Sequence, residues 1–522
     1  MRRLGGGSRS VVIKTRVVRH APGAAPLSAH LRYLQRDGVT QDGAPGRLFD
    51  AGDDRADPKA FGGRCDGDRH HFRFIVSPED GFELQDLKGF TRDLMRAAEK
   101  DLGTGLDWVA VEHWNTPHPH VHILVRGVTD RGGDLVISRD YIAQGLRARA
   151  SDLVTRELGP RTEHDVQRAL SRDVSQDRWT RLDGHLVREW ARNDGRLDVR
   201  PGADRADPWR SLKIARLEIL HDLGVANPEG PGRWRLAPDA EATLKALGRQ
   251  GDIIARLHQG LASAGLAPTP ERLRVEATVT QPMTARVLAQ GLDDELKGSG
   301  YLVLDGLDGR VHHHRVRDLT ELDLRVGAVV ELAPLKGGPP GQEGGGGRLA
   351  LHVRADLSVE AQAVADGATW LDRRLLEGQR VGPNTPVPAP GFGEAVAAAV
   401  ERRIDHLQTQ GLARREDGRV RLAPHLLETL RNRDLAAAGR RLTAETGLTH
   451  RPVAEGETVS GAYRRRVTLA SGRFAMIDDG LGFTLVPWRP ALERQLNQSV
   501  SGVVGPGQSI DWSPGRARGP SR

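Results

Sequence analysis

Four histidines lie within ten residues of this chain, in the run Glu112-His113-Trp114-Asn115-Thr116-Pro117-His118-Pro119-His120-Val121-His122-Ile123-Leu124-Val125. A neutral imidazole offers a lone pair near pH 7, so clustered histidines are common raw material for a metal site. The end of the run, His-apolar-His followed by Ile123-Leu124-Val125, reads as a strand. Alternate residues of a strand share a face. His120 and His122 therefore point to one side, and Val121, Ile123 and Val125 to the other. Pro119 restricts the strand entry. Two imidazoles side by side over an apolar backing form part of a divalent-metal site, and the third ligand must come from elsewhere. The competing reading, a histidine-rich surface strand, does not account for the clean apolar alternation.

A second feature lies near the N-terminus. The chain has four tyrosines, and Tyr33 stands in Leu27-Ser28-Ala29-His30-Leu31-Arg32-Tyr33-Leu34-Gln35-Arg36-Asp37-Gly38. Leu27, Leu31 and Leu34 are spaced as one buried helical stripe, with Gly38 as the stop. His30 and Tyr33 lie three apart on the flank. Tyr33 is then presented toward a sheet edge rather than into a core. Taken alone, it reads as a packing residue.

Three segments together resemble the relaxases of mobilisation systems, in the HUH endonuclease superfamily. The resemblance is to the P-type mobilisation branch that includes the T-DNA border nuclease. Tyr33-Leu34-Gln35-Arg36 resembles its first motif, which carries the nucleophile. His70-His71-Phe72-Arg73-Phe74-Ile75-Val76-Ser77-Pro78 resembles the second, a strand ending in Ser-Pro. His113 to His122 resembles the third, His-x-Asp-x-x-His-Pro-His-x-His. The likeness covers residues 8 to 165. The remainder resembles the C-terminal extension of a relaxase subgroup. Asn115 stands where the third motif has an acidic residue, and an amide orients an imidazole without offsetting its charge. Only Met1-Arg2-Arg3 and a glycine run precede the first expected strand, and a longer basic leader is expected ahead of it.

This resemblance implies a reaction. The Tyr33 oxygen attacks a DNA phosphodiester, displaces the 3′-hydroxyl and leaves a reversible 5′-phosphotyrosine. A phenol needs help as a nucleophile at neutral pH. A histidine-bound Mg²⁺ or Mn²⁺ would neutralise and orient the phosphate. Histidines are unusual ligands for magnesium, which favours manganese in vitro. Alternation sets Phe72, Phe74 and Val76 on a core face and His71, Arg73 and Ser77 on the other. His71 is thus the expected third ligand, with Arg73 and Ser77 near the DNA phosphate. His70 is the fallback, because a bulge would exchange the faces. His113 is expected to activate Tyr33 or to support the metal from outside its coordination sphere. His118 is expected to be structural or DNA-facing. Arg36 and Arg147 complete the expected DNA contacts.

Composition sets limits. A net charge of +7 over 522 residues suits a polyanionic partner. One cysteine, Cys65, excludes an internal disulfide framework and a thiolate zinc cluster, and suits a cytoplasmic location. No segment approaches 18 apolar residues, so no membrane insertion is expected, and no signal peptide is evident. Aromatic residues make up only 4% of the chain, so base stacking would rest on a few side chains such as Trp108, Trp114 or Tyr141.

The expected fold class is α+β: an N-terminal HUH-type antiparallel sheet covered by helices, then winged-helix-like modules and small β-barrel-like domains. The expected elements are strands 10–18, 70–77, 107–113, 120–127 and 134–138 and helices 27–37, 84–101 and 141–158, the last capped by Ser138 or Asp140. Residues 40–69, rich in Gly and Asp, read as a mobile loop. Residues 216–226 repeat at 403–413, and Arg233-Trp234-Arg235-Leu236-Ala237-Pro238 repeats at Arg419-Val420-Arg421-Leu422-Ala423-Pro424. The resulting division is 1–165 relaxase domain, 166–265 helical or winged-helix-like module, 266–358 β-rich domain, 359–450 second winged-helix-like module and 451–522 second β-rich domain. His312-His313-His314 is a second cluster, but consecutive strand residues face opposite ways and cannot readily share one ion.

The expected function is site- and strand-specific nicking of a single-stranded or supercoiled transfer origin, with accessory transfer proteins and a type IV secretion coupling protein as partners. A rolling-circle replication initiator is the near alternative, although there the tyrosine usually follows the histidine motif. A non-catalytic DNA-binding transfer scaffold is the alternative from another class.

Overall fold

A computed structural model describes residues 7–20, 27–35, 39–114, 118–201, 207–267, 269–274, 279, 281–294, 296, 298–316, 319, 324–334, 349–381, 388–416, 419–505 and 510–514. The protein is mixed α+β with several sheets. It divides into two compact units, residues 1–255 and 256–522. Among the described residues, no helix is long and apolar enough to cross a membrane.

In the first unit, β1 (Val11–Arg19), β2 (His70–Pro78), β3 (Trp108–His113) and β4 (His120–Arg126) form an antiparallel sheet in the order β1-β2-β4-β3. Alternation gives the sheet two different faces. One carries Phe72, Phe74, Val76, Val121, Ile123 and Val125, all buried against α3 (Leu87–Leu102) and α4 (Leu146–Leu158). Helix α3 starts where the Asp86 carboxylate accepts from Gly89 N at 2.9 Å, and it ends at Gly103 in the left-handed region, φ 68°. Its buried stripe is Leu87, Phe90, Thr91, Leu94, Met95 and Ala98.

Among the described residues, helices pack on the other face over β3 and β4. There α1 (Leu27–Leu34) and α2 (Pro58–Arg64) set Leu31, Leu34, Phe61 and Cys65 against Val109, Val111 and Leu124.

Two expectations are corrected. Residues 40–69 are not a structureless loop. They contain α2, Phe49 bridges Ala110 at the sheet edge, and Leu48, Phe49, Phe61 and Cys65 are buried. Residues 134–138 do not form a strand, because only an isolated bridge joins Asp134 to Val128. Of the two proposed caps, Ser138 serves: its Oγ accepts from Tyr141 N at 3.1 Å, whereas the Asp140 side chain makes no cap bond. One π-type turn, Tyr141–Gly145, then leads into α4.

Next come α5 (Glu163–Val174), α6 (Arg181–Arg192), the short β5 (Leu197–Asp198), α7 (Arg210–Asp222), the hairpin β6 (Ala226–Pro228) and β7 (Arg233–Leu236), and α8 (Ala240–Ser263). The second unit has a six-stranded sheet of β8 (Leu273–Arg274), β9 (Met283–Asp294), β10 (Ser299–Gly306), β11 (Val311–Val316), β12 (Val329–Pro334) and β13 (Leu349–Ala355). It continues with α9 (Val359–Ala363), α10 (Trp370–Val381), α11 (Phe392–Thr409), the hairpin β14 (Ala413–Glu416) and β15 (Arg419–Leu422), and α12 (Leu426–Thr446). A five-stranded sheet of β16 (Thr458–Leu469), β17 (Gly472–Asp478), β18 (Phe483–Pro487), β19 (Ser499–Val504) and β20 (Ile510–Pro514) ends the chain.

The repeat read from residues 216–226 and 403–413 extends upstream in the structure. Arg216 is fully buried and donates to Asp183 through Nε and Nη2 at 2.8 and 2.9 Å. Arg403 is equally buried and donates to Asp372 through the same two atoms, both at 2.8 Å. Each carboxylate also accepts from the backbone N–H of a threonine three residues earlier, Thr180 or Thr369, at 2.7 Å. Each guanidinium further reaches backbone carbonyls, of Val174, Gln176 and Arg178 in one copy and of Ala365 and Gly367 in the other. The same fork pins α7 to α6 and α11 to α10.

Removing one member of such a pair strands a buried charge. Asp183→Ala or Asp372→Ala should each lower the stability of its own unit by about 3–5 kcal/mol. Urea unfolding followed separately for the two units measures this, and unchanged midpoints would show that the pairs carry no net stability.

Candidate metal centre

The register of β4 decides which side chains meet. His122 pairs with Ile75 on β2 and Val111 on β3, and His120 pairs with His113 on β3. Directly paired residues share a face. His113, His120 and His122 therefore project from one side of the sheet, the side that α1 and α2 partly cover. Their ring centroids are 5.4 Å apart for His113 and His120, 4.4 Å for His113 and His122, and 5.1 Å for His120 and His122. One nitrogen from each ring lies within 4.8 Å of the other two. All three are buried, at 0%, 7% and 3% exposure. Among the described residues, no other group of three histidine, cysteine or acidic side chains converges in this way.

Backbone carbonyls orient two of the rings. His113 Nε2 lies 2.9 Å from Leu34 O, and His120 Nδ1 lies 3.0 Å from His118 O. A carbonyl can only accept, so each of these nitrogens carries its proton and donates. The lone pair is then on Nδ1 of His113 and Nε2 of His120. Histidines that ligate metals characteristically have the other ring N–H held by a carbonyl or carboxylate. The donor set, three buried imidazoles, fits a divalent transition ion better than magnesium.

His71 is not part of this cluster. It does share the histidine face, as alternation required, but it pairs with Arg126, four residues along β2 from Ile75. That spacing puts it about 13 Å away along the strand. Its nitrogens are also committed: Arg73 Nε donates to His71 Nε2 at 2.9 Å, and His71 Nδ1 lies 2.6 Å from His20 Nε2. Burial, reinforced by the Arg73 charge, pushes its pKa down to about 3. The fallback His70 is excluded as well, since it pairs beside Phe72 on the opposite face and its Nε2 donates to Leu135 O at 3.0 Å. The third histidine of the cluster is His113, which was expected to activate Tyr33 or to support a metal from outside its coordination sphere. The signal for it was present. His113 and His120 flank a short connection between two strands, and a hairpin places such flanking residues opposite each other.

The remaining expected residues fall into three groups. Ser77 is close, because its Oγ donates to the carbonyl of Pro119, the residue before His120. Arg73 shares the face two positions from Ile75 and pairs with Leu124. Arg147 stands on α4, which packs on the opposite face, so it is not brought to the triad. Tyr33 belongs to α1, but its side chain is not among those described, and Arg36 and Asn115 lie outside the described residues.

Sequence reading did not single out β1. Lys14 pairs with Ile75, and Arg16 with Arg73, so both lie on the histidine face. With Val12, which is 52% exposed, they form an exposed strip on β1.

In the second unit, His312 and His314 share a face of β11 and stack at 5.8 Å, while His313 turns to Tyr301. Asp308 holds His312 Nε2 at 3.1 Å. No third ligand joins them among the described residues.

Residues 213–340 and 342–521 match a family model described as a protein of unknown function, DUF3363. The chain belongs to this family. No curated protein matches it. No solved structure does either. The DUF3363 match begins within α7, so it takes in the duplicated α7–α8 and α11–α12 segments and both large sheets, while the histidine triad precedes it.

If the triad holds a metal, His113→Ala, His120→Ala and His122→Ala should each weaken Mn²⁺ binding more than about tenfold. His71→Ala should leave the affinity unchanged. Calorimetric titration of the full chain distinguishes them, and a loss on His71→Ala alone would overturn the assignment.

Proposed function

We propose that the protein is a metal-dependent, site- and strand-specific DNA relaxase that nicks a transfer origin to start conjugative mobilisation. One observation carries the reading most directly. The hydrogen bond from His113 to Leu34 O joins the histidine triad to the helix that bears Tyr33, one residue before Leu34. The two motifs that the reaction requires, 80 residues apart in the chain, thereby meet on one sheet face.

In this reading the N-terminal sheet is HUH-type. His113, His120 and His122 would hold Mn²⁺ or Mg²⁺. When bound, the ion supplies charge neutralisation for a phosphodiester oxygen. The chain's own groups do the rest. The Tyr33 oxygen attacks phosphorus, its proton leaves to solvent or a nearby base, and the 3′-oxygen departs with the bonding pair. Lys14, Arg16 and Arg73 lie on the same face and neutralise the incoming backbone. Ser77 holds the Pro119 carbonyl and so steadies the entry to β4.

The modules α7–β6–β7–α8 and α11–β14–β15–α12 are winged-helix-like, and the two large sheets are barrel-like. The exposed faces of α7 and α11 carry Glu218 and Asp222, and Glu401 and Asp405. In the wings, Arg235 pairs with Glu229 and Arg421 with Glu416. Carboxylates on both helices and a paired arginine in each wing suit protein docking better than major-groove reading, so we assign these modules to contacts with accessory transfer proteins or a type IV secretion coupling protein. The site of action is then the cytoplasm.

The full chain with Mn²⁺ should nick a single-stranded origin oligonucleotide and remain attached to the 5′ end. Tyr33→Phe should abolish nicking and adduct formation while DNA affinity stays within about threefold, because only the phenol oxygen is lost. Gel assays of both products check this. Nicking that persists in Tyr33→Phe would remove Tyr33 from the mechanism. DNA binding with no cleavage by the unaltered chain would favour a non-catalytic scaffold.

A further inference from the structure

The hydrogen bond between His113 and α1 has a mechanical consequence. Helix α1 has eight residues, too few to be stable alone, so its position depends on what it touches. Besides its packing with α2, two contacts tie it to the sheet. Leu31 and Leu34 pack on Val109, Val111 and Leu124, and the Leu34 carbonyl accepts from His113 Nε2 at 2.9 Å. Leu34 is the last residue of the helix, and the carbonyls of a last turn have no partner within the helix. His113, fully buried, supplies the missing donor.

The same ring faces two ways. Its Nε2–H caps α1, which leaves the Nδ1 lone pair as the one available to an ion at the triad. Coordination at Nδ1 would withdraw electron density from the ring and make Nε2–H a stronger donor, since charge-assisted hydrogen bonds are roughly twice as strong as neutral ones. It would also bring positive charge to the negative end of the helix dipole.

We infer that His113 is a positioning residue through which metal binding at the triad clamps the C-terminal end of α1. Metal and helix docking are then linked reciprocally: the ion fixes the helix that carries Tyr33, and the docked helix holds one ligand in its coordinating tautomer. Metal binding would hold the docked helix more tightly. This inference rests on the triad being a metal site, and the experiment separates the two.

Hydrogen exchange of the full chain, read by mass spectrometry, is compared in EDTA and in Mn²⁺, with bound ion counted by loss of the free Mn²⁺ EPR signal. Peptides covering residues 27–35 should exchange about fivefold more slowly with Mn²⁺, as expected for a neutral hydrogen bond becoming charge-assisted. Those covering α3, on the opposite sheet face, should not change. In His113→Ala, at Mn²⁺ concentrations that fill whatever site His120 and His122 retain, the protection of 27–35 should vanish. In His120→Ala, which keeps the cap on Leu34, it should return only at higher Mn²⁺. Bound Mn²⁺ with unchanged exchange over 27–35 overturns the clamp and leaves the metal site standing. Protection that survives in His113→Ala overturns the role of His113. No Mn²⁺ binding by the unaltered chain overturns the metal site itself.

Discussion

The N-terminal unit depends on the register of β4 between β2 and β3. A shift of one residue would turn every side chain of β4 to the opposite face. His120 and His122 would then enter the apolar layer beneath α3 and α4, and Val121 and Ile123 would take their place beside α1. The cost of placing imidazoles among Phe72, Phe74 and Leu94 holds the strand where it is. So does the apolar run Val121, Ile123 and Val125, which has no other face on which to be buried. The register that buries the core is the one that assembles the triad.

That constraint explains why the site is partly enclosed and partly open. Helices α1 and α2 cover β3 and β4, desolvating the histidines and bringing the Leu34 carbonyl to His113. On β1 the same face is exposed at Val12, Lys14 and Arg16. A buried cluster of histidines thus borders an exposed basic strip. Under the proposed function, such a boundary would let one phosphate of a long polyanion reach the cluster while the rest of its backbone stays in solvent. The two Arg–Asp forks belong to a different task. They are fully enclosed, and their duplication in α6–α7 and α10–α11 marks them as the fastening of a repeated structural module.

Much of this was legible from the residues. Period-two alternation placed β1, β2, β3 and β4 within a residue or so, and it set His71, Arg73, Ser77, His120 and His122 on the proper faces. Alternation fixes a face and not a position along it. His71 was therefore read as a ligand although pairing places it opposite Arg126, and the hairpin that brings His113 opposite His120 was overlooked. Residues 40–69 were misread because glycine and aspartate dominate their composition, while four dispersed apolar side chains, Leu48, Phe49, Phe61 and Cys65, do the packing. The fork between Arg216 and Asp183 spans 33 residues and has no local period at all. It becomes visible only when both copies are folded.

The central claim is that one strand register gathers three histidines into a metal site against the tyrosine-bearing helix. Anomalous diffraction from crystals of the full chain grown with Mn²⁺ tests it most directly. The account predicts one strong peak bonded to His113 Nδ1, His120 Nε2 and a nitrogen of His122, with the His113 Nε2–H still directed at Leu34 O. A peak at His71, or an unoccupied triad beside manganese bound elsewhere, would contradict it.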